Sequence, residues 1–232
     1  MSDLLTIDTL SKKYGRTAAV DSTSLTLGVG RIVGLIGENG AGKTSLLQLI
    51  ADLAKPSGGS ICIAGIPAGQ QTHLLVSFMP DHNNLFKWMK VKTIIAWYKD
   101  MFSDFDAGRA KTLCKQMEID LDSRIMVLSK GIAERLMLIL TLSRKTSVYL
   151  LDEPLTGIDP LAKCSMIEII RETQTESNLI LISSHFLNDM EELFDEVVFM
   201  KDGKLLPAEL TDDIRENRAL SLKEYYCEVM AK

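Results

Sequence analysis

Gly37-Glu38-Asn39-Gly40-Ala41-Gly42-Lys43-Thr44 is the stretch of this 232-residue chain that decides its fold. It fits the pattern G-x-x-x-x-G-K-[ST], in which glycines let successive backbone N–H groups surround phosphates at the positive end of the following helix. In such a loop Lys43 reaches the outer phosphates and Thr44 ligates Mg²⁺. The stretch therefore predicts a phosphate-binding loop whose contacts continue to Ser45.

The residues on either side of the loop follow the order that the pattern requires. Ile32-Val33-Gly34-Leu35-Ile36 indicates a buried strand, and Ser45-Leu46-Leu47-Gln48-Leu49-Ile50 indicates a helix. A flexible glycine-rich turn, the alternative interpretation, would need neither neighbour. The sequence therefore predicts an α/β fold with a P-loop NTPase core.

Composition and charge narrow the class of protein. Hydrophobic residues make up 46% of the chain, enough for a substantial core. No run reaches the roughly 18 apolar residues of a membrane span, and the start of the chain does not resemble a signal peptide. The net charge of −5 argues against a nucleic-acid partner. The cysteines form no C-x-x-C pair, which predicts reduced thiols in a cytosolic protein: Cys62, Cys114, Cys164 and Cys227.

Apolar runs predict a mainly parallel sheet with antiparallel strands near the N-terminus. The early strands are short and lie between turns, at residues 4–7, 23–27 and 60–64. Longer apolar runs are typical of buried strands, at residues 75–79, 148–151, 179–183 and 196–200. The polar segment Ser11–Arg16 predicts a turn, and Asp202-Gly203 predicts a hairpin.

A helical insertion is predicted between two of the parallel strands. Apolar residues at helical spacing define its first helix: Ile94, Ile95, Trp97, Tyr98, Met101 and Phe102. A second helix would contain Leu113, Met117 and Ile119, and a helix outside the insertion would span about 160–173. We expect one domain, with a catalytic core at 1–81 and 146–206, a helical subdomain at 82–145 and a short C-terminal extension at 207–232.

Polar side chains follow two of the predicted buried strands. Asp152 and Glu153 end the run at 148–151, at the carboxyl edge of the sheet where open α/β folds bind ligands. We expect Asp152 to hold Mg²⁺ through its water shell and Glu153 to orient or deprotonate an attacking water. His185 ends the next strand and could contact the γ phosphate, although a lone histidine is more often structural. Tyr14 could stack on a nucleotide base or be an ordinary loop tyrosine.

With these residues in place, the chain resembles the nucleotide-binding subunit of an ATP-binding cassette (ABC) transporter from Leu4 to about Leu205. Leu128-Ser129-Lys130-Gly131-Ile132 stands where that family carries L-S-G-G-Q, with Ser129 and Gly131 matching and Lys130 and Ile132 departing. Leu155-Thr156-Gly157-Ile158-Asp159 is similar to the D-loop of the family.

The resemblance implies a role for each of the remaining positions. His185 would be the switch histidine and Tyr14 the adenine-stacking aromatic. Asp81 takes the place of the usual Q-loop glutamine; it can still serve the metal, but as a shorter side chain that only accepts hydrogen bonds. Lys130 either adds a cation near the phosphates or points into solvent. Asp159 would contribute to the nucleotide site from the D-loop.

The resemblance also implies partners. ATP and Mg²⁺ would bind between two subunits related by a two-fold axis, in a homodimer or with a sister subunit, because the signature segment of one faces the phosphate loop of the other. The protein would lie on the cytoplasmic side of the membrane through a separate permease, acting in export. Two alternatives remain: a soluble ABC ATPase acting on ribosomes or DNA, and a regulator that binds ATP without turnover. Leu85, Phe86, Trp88 and Met89 would form an exposed permease-docking patch or pack the insertion.

Overall fold

The computed structural model describes residues 3–185 and 190–230. Its strands are β1 Asp3–Tyr14, β2 Thr17–Gly28, β3 Arg31–Ile36, β4 Gly58–Ile63, β5 Ile66–Pro67, β6 Val76–Met79, β7 Val148–Asp152, β8 Leu179–Ser184, β9 Glu196–Lys201, β10 Lys204–Leu205 and β11 Glu209–Leu210. Its helices are α1 Lys43–Ile50, α2 Val91–Met101, α3 Ala107–Gln116, α4 Lys130–Leu142, α5 Pro160–Thr173, α6 Thr211–Arg218 and α7 Leu222–Met230. Residues 1–2 and 231–232, the two ends of the predicted domain, lie outside the described ranges.

The larger sheet brings the predicted site strands together. Its order is β10-β9-β3-β8-β7-β6, with β11 also paired to β9. Strands β9, β3, β8, β7 and β6 are parallel, while β10 and β11 run antiparallel to β9. The register pairs Ile36 with Ser184 and Asp152 with Ser183, so the strand ends after β3, β7 and β8 meet at one edge. The mainly parallel sheet predicted from the apolar runs is confirmed.

Both faces of this sheet are buried, which explains the continuous apolar runs. Alternate residues of one strand belong to different cores: in β7, Tyr149 and Leu151 face the core that contains α2 to α5, whereas Val148 and Leu150 face the core that contains α1 and the smaller sheet. A strand covered on two sides has no face that tolerates polar residues. The sequence pattern of β7 and β8 follows directly from that position.

The smaller sheet is antiparallel, in the order β2-β1-β4-β5. The predicted N-terminal antiparallel strands are confirmed, but the predicted turn at Ser11–Arg16 is wrong. β1 continues to Tyr14 and pairs with Thr17, so the turn is confined to Gly15 and Arg16, with Gly15 at a φ of +60°. Polar side chains fit this stretch because one face of the antiparallel sheet is open to water.

Three α-helices lie in the stretch between β6 and β7, and two predicted details there are wrong. The first, α2, begins at Val91 after a loop at residues 80–90 and ends one residue earlier than predicted, because Phe102 has an extended backbone. Met117 and Ile119 are buried but lie beyond α3, which ends at Gln116. Glu118, between them, has a φ of +55°, which an α-helix cannot contain. The helix predicted at 160–173 and the Asp202-Gly203 hairpin are both found.

The C-terminal stretch folds back on the larger sheet. β11 pairs with β9, and α6 and α7 follow it. Tyr225 packs its ring on Phe199 of β9, with the two centroids 5.7 Å apart. In the described ranges, no helix combines the length and apolar character needed to cross a bilayer.

Candidate active site

The phosphate loop lies between β3 and α1 in a space that admits only glycine at two positions. A Cβ on Gly37 would lie 2.3 Å from the carbonyl oxygen of Met200, and one on Gly42 would lie 2.1 Å from the carbonyl oxygen of Ala19. Gly42 and Gly40 also have φ values of +110° and +86°. These positions therefore need glycine for room and for backbone conformation. Ala41 is buried, residues 38–40 are exposed, and Ser45 is half-buried on the first turn of α1.

Lys43 is a buried cation at the start of α1. Its side chain is 6% exposed and its Nζ donates to the carbonyl oxygens of Gly37 at 2.7 Å and Glu38 at 3.1 Å. The Glu153 Oε1 atom lies 3.6 Å from the same Nζ. Burial lowers the pKa of Lys43, and the carboxylates of Glu153 and Asp152 oppose this effect. The ammonium group thus has carbonyl partners that phosphate oxygens can replace.

Asp152 has one oxygen satisfied and one without a partner. It is 1% exposed at the end of β7, and its Oδ1 accepts a hydrogen bond from the Ser183 hydroxyl at 2.5 Å. Its Oδ2 has no hydrogen-bond partner among the described residues. Burial raises the pKa of Asp152 despite the Ser183 and Thr44 hydroxyls, which favour the ionised form. A buried carboxylate oxygen without a partner, with a threonine hydroxyl beside it, fits the oxygen ligands of Mg²⁺.

The described side chains do not form a metal-binding cluster by themselves. Within residues 3–185 and 190–230, no group of three or more His, Cys, Asp or Glu side chains is placed to hold an ion. Mg²⁺ commonly takes one or two protein ligands and completes its shell with water and substrate phosphates. The residues present therefore fit a metal ion that arrives with a nucleotide.

Glu153 is the centre of the side-chain cluster. Its Oε1 lies 2.8 Å from His185 Nδ1, and its Oε2 accepts from the Thr156 hydroxyl at 3.1 Å. Its backbone N–H donates to the Ser183 hydroxyl at 3.0 Å. Glu153 has a φ of +50°, a left-handed conformation that costs a non-glycine residue on the order of 1–3 kcal/mol. This turn breaks the strand alternation and directs the side chain toward Lys43 and His185.

Asp81 lies at the edge of this cluster. It follows β6 by two residues, its side chain is 45% exposed, and its Oδ1 lies 2.6 Å from His82 Nδ1. Its negative charge contributes to the raised pKa of Asp152, after the larger effect of burial. Asp81 is therefore close enough to Asp152 to influence its ionisation, and His82 is an added neighbour that the sequence analysis did not single out.

The other sequence-predicted residues are not part of this cluster within one chain. Ser129 caps α4 by accepting from the Ile132 N–H at 3.3 Å, and Asp159 caps α5 by accepting from the Ala162 N–H at 3.0 Å. Gly131 has no neighbour within 4 Å of a Cβ position. Tyr14 is 50% exposed at the end of β1, with Lys12 Nζ 4.9 Å from its ring centroid. Tyr14, Ser129 and Asp159 are thus exposed and can meet a ligand or a partner, while Gly131 is half-buried beside Ser129.

Ser183 and Thr156 are site residues that sequence reasoning missed. Ser183 holds both Asp152 and the backbone of Glu153, and Thr156 holds the Glu153 carboxylate. Ser183 ends a buried strand, the same signal that pointed to Asp152. A hydroxyl group, however, can form hydrogen bonds in many surroundings, so its position at a strand end does not by itself mark it as functional.

A groove of about 440 Å³ opens beside α2 and α4. Apolar residues dominate its lining, among them Leu53, Leu85, Phe86, Trp97, Tyr98 and Phe102. Of the predicted docking residues, Met89 is buried at 8% exposure and Leu85 is half-buried, whereas Phe86 and Trp88 are 42% and 68% exposed. Met89 therefore packs inside the insertion, as one interpretation expected, whereas Phe86 and Trp88 form an exposed patch, as the other expected.

The fold and the phosphate loop together define a P-loop nucleotide-binding protein. The sequence profile of the ABC transporter family matches residues 20–156, which contain the loop, Asp152 and Glu153. The chain belongs to the ABC transporter family, as an ATP-binding subunit.

Individual relatives agree with this assignment. ABC transporter ATP-binding protein YtrB of Bacillus subtilis (strain 168) is 29% identical over 89% of this chain and 72% of its own length. Nod factor export ATP-binding protein I of Burkholderia orbicola (strain AU 1054) is 31% identical over 84% of this chain and 67% of its own length. A solved ATP-binding subunit of an ABC transporter superimposes with a TM-score of 0.88 at 26% identity, covering 98% of this chain and 99% of that one. The resemblance drawn from the motifs is confirmed.

Proposed function

We propose that this protein hydrolyses MgATP and thereby drives a separate membrane permease, in the direction of export. The observation that carries the proposal is the Glu153 carboxylate, held between Lys43 and His185 at the sheet edge where Asp152 has an unpaired oxygen. A base, a cation and a metal-binding carboxylate in one place are the parts that phosphoryl transfer to water requires.

Each residue of the phosphate loop has a task in this scheme. The backbone N–H groups of residues 37–44 would bind the phosphates, and the Thr44 and Ser45 hydroxyls lie on the first turn of α1, where they can join them. Lys43 would exchange its bonds to the Gly37 and Glu38 carbonyl oxygens for bonds to phosphate oxygens. Tyr14, half exposed at the end of β1, would stack on the adenine.

The metal would be held by Asp152, Thr44 and Asp81. Mg²⁺ would neutralise charge on the phosphates when bound. The unpaired Oδ2 of Asp152 is the ligand position that favours this assignment, and the Ser183 hydroxyl keeps the other oxygen in place. Asp81 is more exposed and is shared with His82, so it can approach the metal directly or through water.

Glu153 would accept the proton of the attacking water. Its Oε2 is held by Thr156 and its Oε1 by His185, so the carboxylate has a fixed orientation before any substrate arrives. His185 would position both the carboxylate and the γ phosphate, since an imidazole can hydrogen-bond through both of its ring nitrogens. Proton removal by a positioned carboxylate contributes typically about a hundredfold to ten-thousandfold in rate.

The active unit would be a dimer. Ser129 and Asp159 are exposed, and Gly131 has open space around it, outside the cluster around Glu153. They would complete the nucleotide site of the opposite subunit, a second copy of this chain or a sister subunit. The N-terminus of α4, with Ser129 as its cap, would then direct its N–H groups at a phosphate across the interface.

The groove beside α2 and α4 would receive a helix of the permease. It is largely apolar, and Phe86 and Trp88 extend its apolar surface toward solvent. Docking there would place the protein at the cytoplasmic face of the membrane. The Nod factor export relative supports the direction of transport, and the net charge of −5 does not favour a nucleic-acid partner.

Replacing Glu153 with glutamine tests the catalytic proposal and the dimer together. Glu153→Gln keeps the size of the side chain but removes the base, so hydrolysis should slow by about a hundredfold or more while MgATP still binds. Uncleaved MgATP between two subunits should then accumulate a dimer, measured by size-exclusion chromatography with light scattering. Glu172→Gln, at an exposed position on α5, is the matched control and should behave as the parent.

Two outcomes would count against parts of the proposal. A Glu153→Gln protein that hydrolyses ATP at the parental rate would refute the catalytic assignment. An inactive variant that binds ATP but stays monomeric would point to an obligate sister subunit, with Lys130 and Ile132 as the departures responsible. Lys43→Ala should form no dimer with MgATP, because it lacks the cation that holds the phosphates.

A further inference from the structure

The last helix, α7, is anchored on the strand that supports the phosphate loop. The ring centroid of Phe199, in β9, lies 5.7 Å from those of Tyr225 and Tyr226. The Tyr225 hydroxyl also bonds to Glu209, and Arg218 pairs with Glu209 at 2.6 Å. The position of α7 is therefore fixed relative to β9.

The end of α7 reaches the outer half of the loop. The Nζ of Lys201, the last residue of β9, donates to the carbonyl oxygen of Met230 at 2.8 Å. Met230 and residues 38–41 line the same cleft of about 230 Å³, together with residues 200–202. Burial, and after it the Glu38 carboxylate, raises the pKa of Tyr226. The helix thus lies beside the part of the loop that is exposed.

The loop also depends directly on β9 and the hairpin after it. The Met200 carbonyl oxygen is the atom that leaves no room for a side chain at Gly37, and the Met200 methyl group lies against the Gly42 position. The Gly203 N–H, in the β9–β10 turn, donates to the Ala41 carbonyl oxygen at 3.0 Å. A displacement of the end of β9 would therefore displace the phosphate loop with it.

We propose that Lys201 and α7 position residues 38–41 for nucleotide binding, through the Lys201–Met230 hydrogen bond and the β9–β10 hairpin. This inference rests on the proposed function, in which the loop binds MgATP. An exposed loop segment loses backbone freedom when its N–H groups order around phosphates. Holding it in advance reduces that entropic cost, and the gain is seen as higher affinity.

The test replaces Lys201 with methionine, which keeps the apolar stem and removes the donor. The dissociation constant of MgATP should rise about threefold to tenfold, the range expected for one exposed hydrogen bond. The melting temperature should stay close to that of the parent, because Lys201 is exposed. Lys201→Arg, which keeps a donor, should restore most of the affinity.

Lys204→Met is the matched control. Lys204 lies on the same hairpin and carries the same charge, but it is 67% exposed and pairs with Asp21 at 3.5 Å, away from α7. It should leave the affinity for MgATP unchanged. An equal loss of affinity in Lys201→Met and Lys204→Met would overturn the inference, because it would reduce the effect to a lost positive charge.

A second measurement follows amide hydrogen exchange in α7, first in the parent protein. Coupling between α7 and the loop is reciprocal, so saturating MgATP should slow amide hydrogen exchange in α7 of the parent, and Lys201→Met should lose this protection. Unchanged exchange in the parent, despite bound MgATP, would overturn the inference and leave the proposed function intact. A parent protein that binds no MgATP would instead refute the proposed function.

Discussion

Side-chain burial is unusual in two regions of the molecule, and in opposite senses. These regions are the phosphate-loop edge of the larger sheet and the groove beside α2 and α4. At the sheet edge, Asp152 and Lys43 are 1% and 6% exposed, so charges that usually face water are buried. At the groove, Phe86 and Trp88 are 42% and 68% exposed, so large rings face water. Each departure costs free energy in the isolated chain and is offset when a complementary partner binds. The buried charges at the sheet edge thus point to a charged ligand, and the exposed rings at the groove point to an apolar partner.

The groove also contains a buried charge, but this charge has partners within the protein. Arg144 is 5% exposed, pairs with Asp104 at 3.0 Å and donates to the carbonyl oxygens of Val76 and His73. Its guanidinium lies 4.2 Å from the ring centroid of Phe102. Arg144 is therefore satisfied by the protein itself, whereas Asp152 keeps an oxygen without a partner. We expect removal of these two charges to have different consequences.

Arg144→Met should have the largest effect on stability. It leaves Asp104 and two carbonyl oxygens without their partner, and breaking a buried ion pair typically costs about 3–5 kcal/mol. The measurement is the free energy of unfolding in urea. Arg218→Met is the control, since Arg218 also lies over a ring and pairs with a glutamate but is 47% exposed; it should cost less than about 1 kcal/mol. If both variants lost the same unfolding free energy, the buried Arg144 pair and the exposed Arg218 pair would not differ in their contribution to stability.

Asp152→Asn should lower MgATP hydrolysis by about a hundredfold while leaving the fold at least as stable as the parent. The folded-state pKa of Asp152 is raised, mainly by burial, so its ionised form opposes folding at neutral pH. The variant should therefore melt at a higher temperature than the parent in thermal unfolding.

The pH dependence provides the check on that prediction. The stability gained by Asp152→Asn should be complete at neutral pH and shrink as the pH falls through the raised pKa, because the parent then becomes protonated and loses its penalty. Asp100→Asn, at an exposed position on α2, should show no such change. A variant that melts below the parent at neutral pH would mean that the Asp152 charge stabilises the fold.

Trp88→Ala should weaken binding to membranes that contain the permease by about tenfold or more, the usual effect of removing an aromatic anchor. Binding of MgATP in solution should stay intact, since Trp88 is far more exposed than the core residues. Co-sedimentation with native membranes measures the first property. Leu161→Ala removes another exposed apolar side chain, 82% exposed on α5, and should not reduce membrane binding.

The smallest effect is expected at Lys130. Its side chain is 79% exposed, so Lys130→Gly should change ATP turnover by less than about tenfold. The variant also deprives Glu134 of a neighbouring cation, because Lys130 Nζ lies 3.7 Å from Glu134 Oε1 while Oε2 has no partner among the described residues. A double-mutant cycle with Glu134→Gln, repeated at several salt concentrations, separates the two effects. A loss of several hundredfold would place Lys130 at the nucleotide.

Local sequence patterns predicted the part of the site that depends on local geometry. The phosphate loop needs glycines at fixed spacing, and the Asp152-Glu153 pair ends a recognisable buried strand, so both could be found without tertiary contacts. Ser183 and Thr156 could not, because their importance arises from hydrogen bonds to residues that only the fold brings near. The length of β1 was missed for a similar reason: its polar end is ordered by pairing with β2.

The groove shows a second limit of sequence reasoning. Phe86 and Met89 are both apolar and lie three positions apart, yet one is 42% exposed and the other 8%. Hydrophobicity predicts that a residue will seek an apolar neighbour, but whether that neighbour belongs to the same chain depends on the loop conformation. The alternatives of core and docking patch could therefore be separated only residue by residue in the folded protein.

The aromatic contacts of Phe86 give the groove a built-in optical reporter. The chain contains two tryptophans, and both lie against this one ring, with centroids 6.2 Å away for Trp88 and 5.4 Å away for Trp97. Tryptophan fluorescence of the unlabelled protein therefore originates beside the groove and not at the phosphate loop. Any change in emission when MgATP is added would record communication between the two regions, in real time and without a chemical dye.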